Sequence, residues 1–214
     1  MKQPSNETLN PSRGELRRQK FLDVAETLFL QKGYAGTSVN EVVKNAGGSL
    51  NTLYRYFENK LGLFEAVFHK KTEEIFTPFL SCDYWQADIE TNLKNFGSAL
   101  QKVALSEEGV AMNRLVVAEN NDEQAQIHRI FLENGPQKAI QILASYFECE
   151  QQRGTIQLEN PQLAAAQFLE MIKGPFYYRL MFGEQIDENE MQQALLQAID
   201  LFLTGARIQP KAEK

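Results

Sequence analysis

Apolar residues recur along this chain at helical spacing almost from end to end. From about Gly14 a first stripe forms on Leu22, Ala25, Leu28 and Phe29, widened by Phe21 and Val24. Lys32-Gly33 closes it, glycine supplying a positive-φ cap, which predicts a helix over 13–32. Ser38-Val-Asn-Glu41 has the spacing of a capping box. It opens a short helix with Val39, Val42, Val43 and Ala46 inward, broken by Gly47-Gly48. Ser49 then caps a second short helix, Leu50 to about Phe57, held inward by Leu53 and Phe57. Asn59 reads as the cap of a fourth helix, with Leu61, Phe64, Val67 and Phe68 on one face. Further segments are expected at 84–105, 108–119, 122–151, 161–182 and 188–207. Asn121 to Gln124 and Asp187 to Glu190 are read as capping boxes, and Asn160-Pro161 as a cap followed by an N1 proline. Gly135-Pro136 and Gly174-Pro175 should interrupt or kink the segments that hold them. No alternating strand pattern and no repeat is visible. The expected fold is all-α, with about nine helices.

Two short helices joined by a glycine turn, after a longer helix, are the sequence image of a helix-turn-helix. The second helix of such a pair is thin enough to enter the major groove of DNA, while the first crosses the backbone. With Leu53 and Phe57 turned inward, its other face offers Asn51, Thr52, Arg55 and Tyr56, with Tyr54 beside them. These side chains have the reach and hydrogen-bonding groups for bases and phosphates. Lys60 can pair with a phosphate as a point charge, and the amides at the helix starts near Ser38 and Ser49 add donors.

Charge supports a two-part chain. Net charge is −6, but residues 1–60 hold nine Lys/Arg against six Asp/Glu, whereas the remainder holds thirteen against twenty-two. A basic head on an acidic body suits a module that binds a polyanion joined to one that does not. The expected division is an N-terminal arm at 1–12, disordered in its polar, proline-bearing sequence, a DNA-binding domain at 13–58, a second helical domain at 59–208 and a tail at 209–214. No apolar run approaches the roughly 18 residues of a membrane span, and the start MKQPSNETLNPSRGE has no secretory apolar core. The expectation is therefore a cytoplasmic protein with no membrane partner. Cys82 and Cys149 form no CxxC pair and read as two buried or half-buried thiols. His69 and His128 have no metal-ligand spacing, no nucleotide loop is present and no paired-carboxylate motif presents itself. No metal, cofactor or catalytic residue is therefore expected, and a small all-helical enzyme is the weaker reading.

Residues 17–69, from RRQKFLDVAETLFLQKGYAGTSVNEVVKNAGGSLNTLYRYFENK into LGLFEAVFH, resemble the DNA-binding domain of the TetR family of regulators. The most specific parts are TLYRYFENK and the upstream LFLQKGYAGTSV. NRLVVAENNDEQAQIHRIFLENGPQKAI and LENPQLAAAQFLEMIKGPFYYRLMFG resemble the C-terminal domain of AefR-like members. The resemblance implies a homodimeric repressor of a palindromic double-stranded DNA operator, released by a small effector bound in the C-terminal domain. It also implies that Ser38, Ser49, Thr52, Tyr54, Tyr56 and Lys60 sit where family members touch DNA. The dimer seam would use the last two long helices, with Leu195, Ile199, Phe202 and Leu203 giving the last one its apolar face. The helix holding Phe64 to Thr77 would be the lever between sensing and reading.

Four positions depart from the family pattern. Gly48 replaces a usual valine and should loosen the turn. Leu50 replaces a common lysine, so that one phosphate or base contact is absent or replaced by apolar contact with a thymine methyl, while Asn51 replaces a frequent glycine and could read adenine bidentately. Gly62 replaces a common glutamate, at a helix-propensity cost of roughly 1 kcal/mol. In the body, Phe96, Met112, Phe131, Phe147, Phe168, Met171 and Phe176 are the candidates to line an effector pocket, from chemistry that a helical core also needs. A body that binds a protein partner instead of a small ligand is the alternative.

Overall fold

The computed structural model describes residues 12–206, apart from the side chain of Cys82. The arm at 1–11 and the residues from 207 onward, with their expected disorder and tail, lie outside the described residues. Among those described, ten α-helices and two short 3-10 turns account for the regular structure, and no strand is present. The chain divides into two compact units, residues 1–67 and 68–214.

The first unit holds α1 (Arg13–Gly36), α2 (Val39–Ala46), α3 (Leu50–Phe57) and the start of α4 (Lys60–Phe76). Its core is aromatic. Phe29 and Tyr34 stack at 5.7 Å between ring centres, and Phe64 meets both edge-on at 5.4 Å. Phe21 meets Phe57 edge-on at 6.5 Å, which fastens α1 to α3. Leu53, Val42 and Ala46 are fully buried beside them. Gly33 leaves helical geometry at φ 74°, as its place after Lys32 anticipated, but a further turn carries α1 on to Gly36. Leu63, and not Leu61, is the inward leucine of α4.

The second unit adds α5 (Ile89–Ala104), α6 (Glu107–Ala118), α7 (Gln124–Asn134), α8 (Pro136–Gln152), α9 (Pro161–Met181) and α10 (Glu188–Ala206). The expected helix at 84–105 starts later. Residues 82–85 form a 3-10 turn, and Asp88 caps α5 by accepting the Thr91 amide at 2.9 Å. Trp85 instead folds back, its indole donating to the Phe79 carbonyl at 3.0 Å and its ring stacking on Tyr146 at 4.1 Å. Gly135 separates α7 from α8, as the glycine-proline pair anticipated. Pro175 does not divide α9, which runs unbroken through it. A proline withholds one amide from the preceding turn. For Pro175 the carbonyl concerned is that of Met171, and at the next residue buried Gln101 donates to the Ile172 carbonyl at 2.7 Å and also to the Met191 carbonyl of α10 at 3.2 Å. One side chain from α5 thus fastens the two last helices together.

The expected capping boxes form only by half. Ser38 accepts the Glu41 amide at 3.2 Å, but the Glu41 carboxylate pairs with Lys32 instead of reaching back. Asn121 accepts from Glu123 at 2.8 Å and Asp187 from Asn189 at 2.9 Å, both one residue short of the box. Glu190, the would-be return arm, is taken by Arg179, whose guanidinium also holds Glu184. This pairing lowers the Glu184 carboxyl below its ordinary range and raises the Arg179 guanidinium. The complete box stands where none was read, at Ser12 and Glu15. Cys149 is exposed, contrary to expectation, because the buried stripe of α8 runs through Ile142, Leu143, Tyr146, Phe147 and Glu150 and leaves it outside.

Candidate nucleic-acid interface

The reading face is built by α3 and its two joints. At its start, Ser49 is extended (φ −131°), and its hydroxyl accepts the Thr52 amide at 3.2 Å and lies 2.9 Å from the Thr52 hydroxyl. Both hydroxyls therefore sit together at the N-terminus of the helix, where the backbone dipole favours a phosphate. Leu53 and Phe57 hold the helix down. Asn51, Tyr54 and Arg55 are exposed, while Thr52 and Tyr56 are half-buried. The expected face is thus brought together on one side of α3, with Ser38 exposed at the start of α2.

Two of the named residues have further partners inside the unit. The Tyr56 hydroxyl donates to the Gly14 carbonyl at 3.1 Å, tying the end of α3 to the start of α1. Its proton is spent there, so towards an anion it offers its ring edge and the charge of Arg55, which lies 5.4 Å above that ring. Lys60 lies 4.2 Å over the Tyr34 ring and 3.5 Å from the Ala35 carbonyl, directed at the joint between α1 and α2. It still places a cation at the last turn of α1.

The joints explain two glycines that sequence reading treated as blemishes. Gly47 and Gly48 adopt φ 71° and 113°, and a Cβ on Gly48 would lie 3.1 Å from the Phe21 ring. The turn is therefore closed over Phe21, not loosened, by a backbone that valine would not adopt. At the other end, Glu58 has φ 62° and ψ −49°, and the Asn59 amide reaches back to the Phe57 carbonyl at 2.6 Å. That is a γ-turn of the rare, strained hand. It throws the Phe57 carbonyl onto Gly62, where a Cβ would sit 2.2 Å from the oxygen. Gly62 is thus required by close approach, and the propensity cost expected of it is beside the point.

Sequence reading missed Arg17. Its guanidinium donates to the Ala46 carbonyl at 3.3 Å and lies across the glycine turn. The available signal was its position four residues before Phe21, on the same face of α1.

In the second unit the candidate effector residues fall into separate groups. Phe96, Phe147 and Phe168 are fully buried in one close-packed core, with Met171 packed against it. Phe147 and Phe168 both meet Phe202, at 5.0 and 5.3 Å. Phe131 is half-buried against Phe68 at 5.5 Å. Phe176 is buried and Met112 half-buried, outside that core. A groove of about 330 Å³ lies elsewhere, between α4 and the α7–α8 corner, walled by His69, Glu73, Phe76, Glu133 and Lys138. None of the seven candidates lines it. Among the described residues no helix is long and apolar enough to cross a membrane, and no group of three acidic, histidine or cysteine side chains could hold a metal ion.

An all-helical chain with a helix-turn-helix head and a separate helical body is the architecture of a transcriptional regulator. Residues 21–67 match the family described as bacterial regulatory proteins, tetR family, and residues 91–205 match the AefR-like transcriptional repressor, C-terminal domain. The chain belongs to the TetR family of DNA-binding transcriptional regulators, which are not enzymes. Among curated relatives, the uncharacterized HTH-type transcriptional regulator YvkB of Bacillus subtilis is 25% identical over 87% of this chain and 95% of its own. The HTH-type transcriptional repressor ComR of Escherichia coli is 42% identical, over 29% of this chain and 31% of its own. Among solved structures, a TetR-family regulator from Mesorhizobium loti superposes with a TM-score of 0.80 at 26% identity, covering 92% of this chain and 100% of that one. NalD of Pseudomonas aeruginosa, the secondary repressor of a multidrug efflux pump, superposes at 0.66 with 22% identity, over 92% of this chain and all of that one, a likeness of fold alone.

Proposed function

We propose that this regulator represses transcription by binding a palindromic operator as a homodimer and is released by a small, largely apolar effector. The observation that carries the reading is the single exposed polar face of α3, anchored to α1 by Phe21–Phe57 and by the Tyr56 hydroxyl. In the major groove Asn51 and Thr52 would meet base edges, Asn51 being suited to adenine. Ser38, Ser49, Tyr54, Arg55, Tyr56 and Lys60 would position the helix on the backbone.

Dimerisation rests on a different set of residues from the one read in the sequence. Leu195, Ile199 and Leu203 are buried within the protomer and half-buried Phe202 packs on that core, which favours a seam built on other residues. The outward apolar residues of the last two helices are Leu163, Tyr178 and Phe182 around α9, and Leu196 and Leu201 on α10. Phe182 is 87% exposed and Tyr178 69%. An aromatic pair so exposed is costly for a monomer and ordinary for an interface core. Gly174 and Gly205 lie in these helices with nothing within 4 Å of a Cβ, which leaves room for a partner helix to approach. Two heads would then meet half-sites about 34–36 Å apart.

The effector would act through its differential affinity for two dimer geometries, and α4, continuous from Lys60 to Phe76, would carry the change as the lever. Of the seven pocket candidates, Met112, Phe131 and Met171 are half-buried and the other four are buried, which favours these three as the first to meet an effector. A panel of apolar and aromatic compounds, added to the protein on its selected operator, tests this. Release by one compound, lost in Met171→Ala or Phe131→Ala with DNA affinity unchanged, is expected. A regulator that no compound in such a panel releases, and that instead yields to a protein partner, would contradict it.

A further inference from the structure

The reading helix lacks charge where it enters DNA. From Gly47 through Tyr54 no side chain is charged, and half-buried Leu50 supplies none. A guanidinium is nevertheless present at that end, delivered from another element. Arg17 stands in the second turn of α1, and its Nη1 donates to the Ala46 carbonyl, the last of α2, at 3.3 Å. Cβ atoms built on the turn would lie 3.4 Å from Arg17 Nη1 at Gly47, and 3.7 Å from both Cδ and Nη1 at Gly48. The side chain therefore lies within van der Waals reach of the glycine pair. Its neighbour Arg18 has turned away onto the Phe57 ring, 5.3 Å from its centre.

We propose that Arg17 is a phosphate contact of this regulator, carried by α1 to the turn of the helix-turn-helix, where it supplies a cation at the N-terminal end of α3, whose own Arg55 stands in its last turn. The inference rests on the DNA-binding reading above. Three features favour it. A guanidinium carries five N–H donors in a fixed fork, and the Ala46 bond occupies one. That bond holds the fork at the glycine pair, whose second member immediately precedes Ser49, the residue that caps α3 with its hydroxyl beside that of Thr52. Arginine also binds phosphate bidentately, which lysine does not. The residue would thus fix the insertion of α3 without reading sequence.

The test uses the full-length protein on a duplex selected from random DNA by the protein itself, with an unselected duplex as reference, over a series of salt concentrations. Loss of one phosphate contact lowers the slope of log K against log salt by about 0.9 per bound protomer. Arg17→Gln is expected to show that loss, weakening selected and unselected DNA alike, by roughly tenfold at low salt. Arg17→Lys is expected to keep most of the slope, and Arg129→Gln on α7 to match the wild type. A scan with single methylphosphonates should find one phosphate per half-site whose neutralisation harms the wild type and does not further harm Arg17→Gln. A wild-type slope in Arg17→Gln, with or without weaker binding, would overturn the proposal and leave Arg17 as a staple of the turn. Should Arg17→Gln not fold, the same scan on the wild type and Arg17→Lys decides. Unequal penalties at one phosphate support the contact, and equal penalties at every phosphate overturn it. A wild-type protein without any preference for its selected duplex would sink the DNA-binding reading itself, and this inference with it.

Discussion

Single residues set the pose of the reading helix. Gly62 is the clearest case. The Phe57 carbonyl, turned by the γ-turn at Glu58, occupies the space of its absent Cβ. Gly62→Ala should therefore destabilise the first unit by more than about 1 kcal/mol, although alanine is the better helix former. Chemical denaturation followed by circular dichroism measures it, and a stabilised variant would contradict the γ-turn. Glu58→Gly should act in the opposite sense, since glycine adopts positive φ without strain. Tyr146 offers a spectroscopic check on the second unit. Burial beneath Trp85 pushes its hydroxyl up to about 12, against the opposing hydrogen bond from Asn92 at 3.0 Å. A tyrosine raised in the folded state holds its proton longer than in the unfolded chain. Its contribution is complete below pH 10 and drains away as pH rises towards 12. An absorbance titration should show a late tyrosine that disappears in Tyr146→Phe.

At the scale of elements, helix starts are the most exposed to test. Asp88 caps α5, and its bonds from the Thr91 amide and hydroxyl lower its carboxyl below the ordinary range. A depressed carboxyl stabilises the fold above its unfolded value near 4, and that contribution is lost as pH falls through the lower, folded value. Asp88→Ala should thus lower the melting temperature at neutral pH, with the gap closing under acid. A gap independent of pH would mean the cap is idle. Asp88 also shows how legibility ended. The apolar periods from Leu22 to Phe57 foretold α1, α2 and α3, the last two with their cap serines Ser38 and Ser49, because local stripe and local cap agree there. The expected segment at 84–105 took Trp85 into α5, whereas its ring is spent on Tyr146, 61 positions later in the chain. Half-boxes have the same cause. Glu41 and Glu190 were legible as return arms, but Lys32 and Arg179 outcompete the backbone for them, and such partners are invisible until the chain is folded. The polar face of α3 could be read from Leu53 and Phe57 alone. The tether from Tyr56 to Gly14 spans 42 positions and could not.

For the whole molecule, the outward face of α9 and α10 is where the account is most easily broken. Phe182→Asp together with Leu201→Asp should convert a sedimenting dimer to a monomer with its helical content intact, because neither side chain belongs to the protomer's core. Operator affinity should fall with it, since each head alone holds half a site. A pair of variants that remains dimeric would place the seam elsewhere. The division of charge fits the same picture: the basic head faces a polyanion, and the acidic body repels it and so limits non-specific coating of DNA.

The most direct test of the central claim is a titration of the purified protein against its selected duplex at two salt concentrations, with a footprint of the complex. The account predicts tight binding that weakens steeply with salt, a preference over random duplex, and protection of two half-sites one helical turn or a multiple apart. Binding equal to that of random DNA, or protection of a single unpaired half-site, would contradict it.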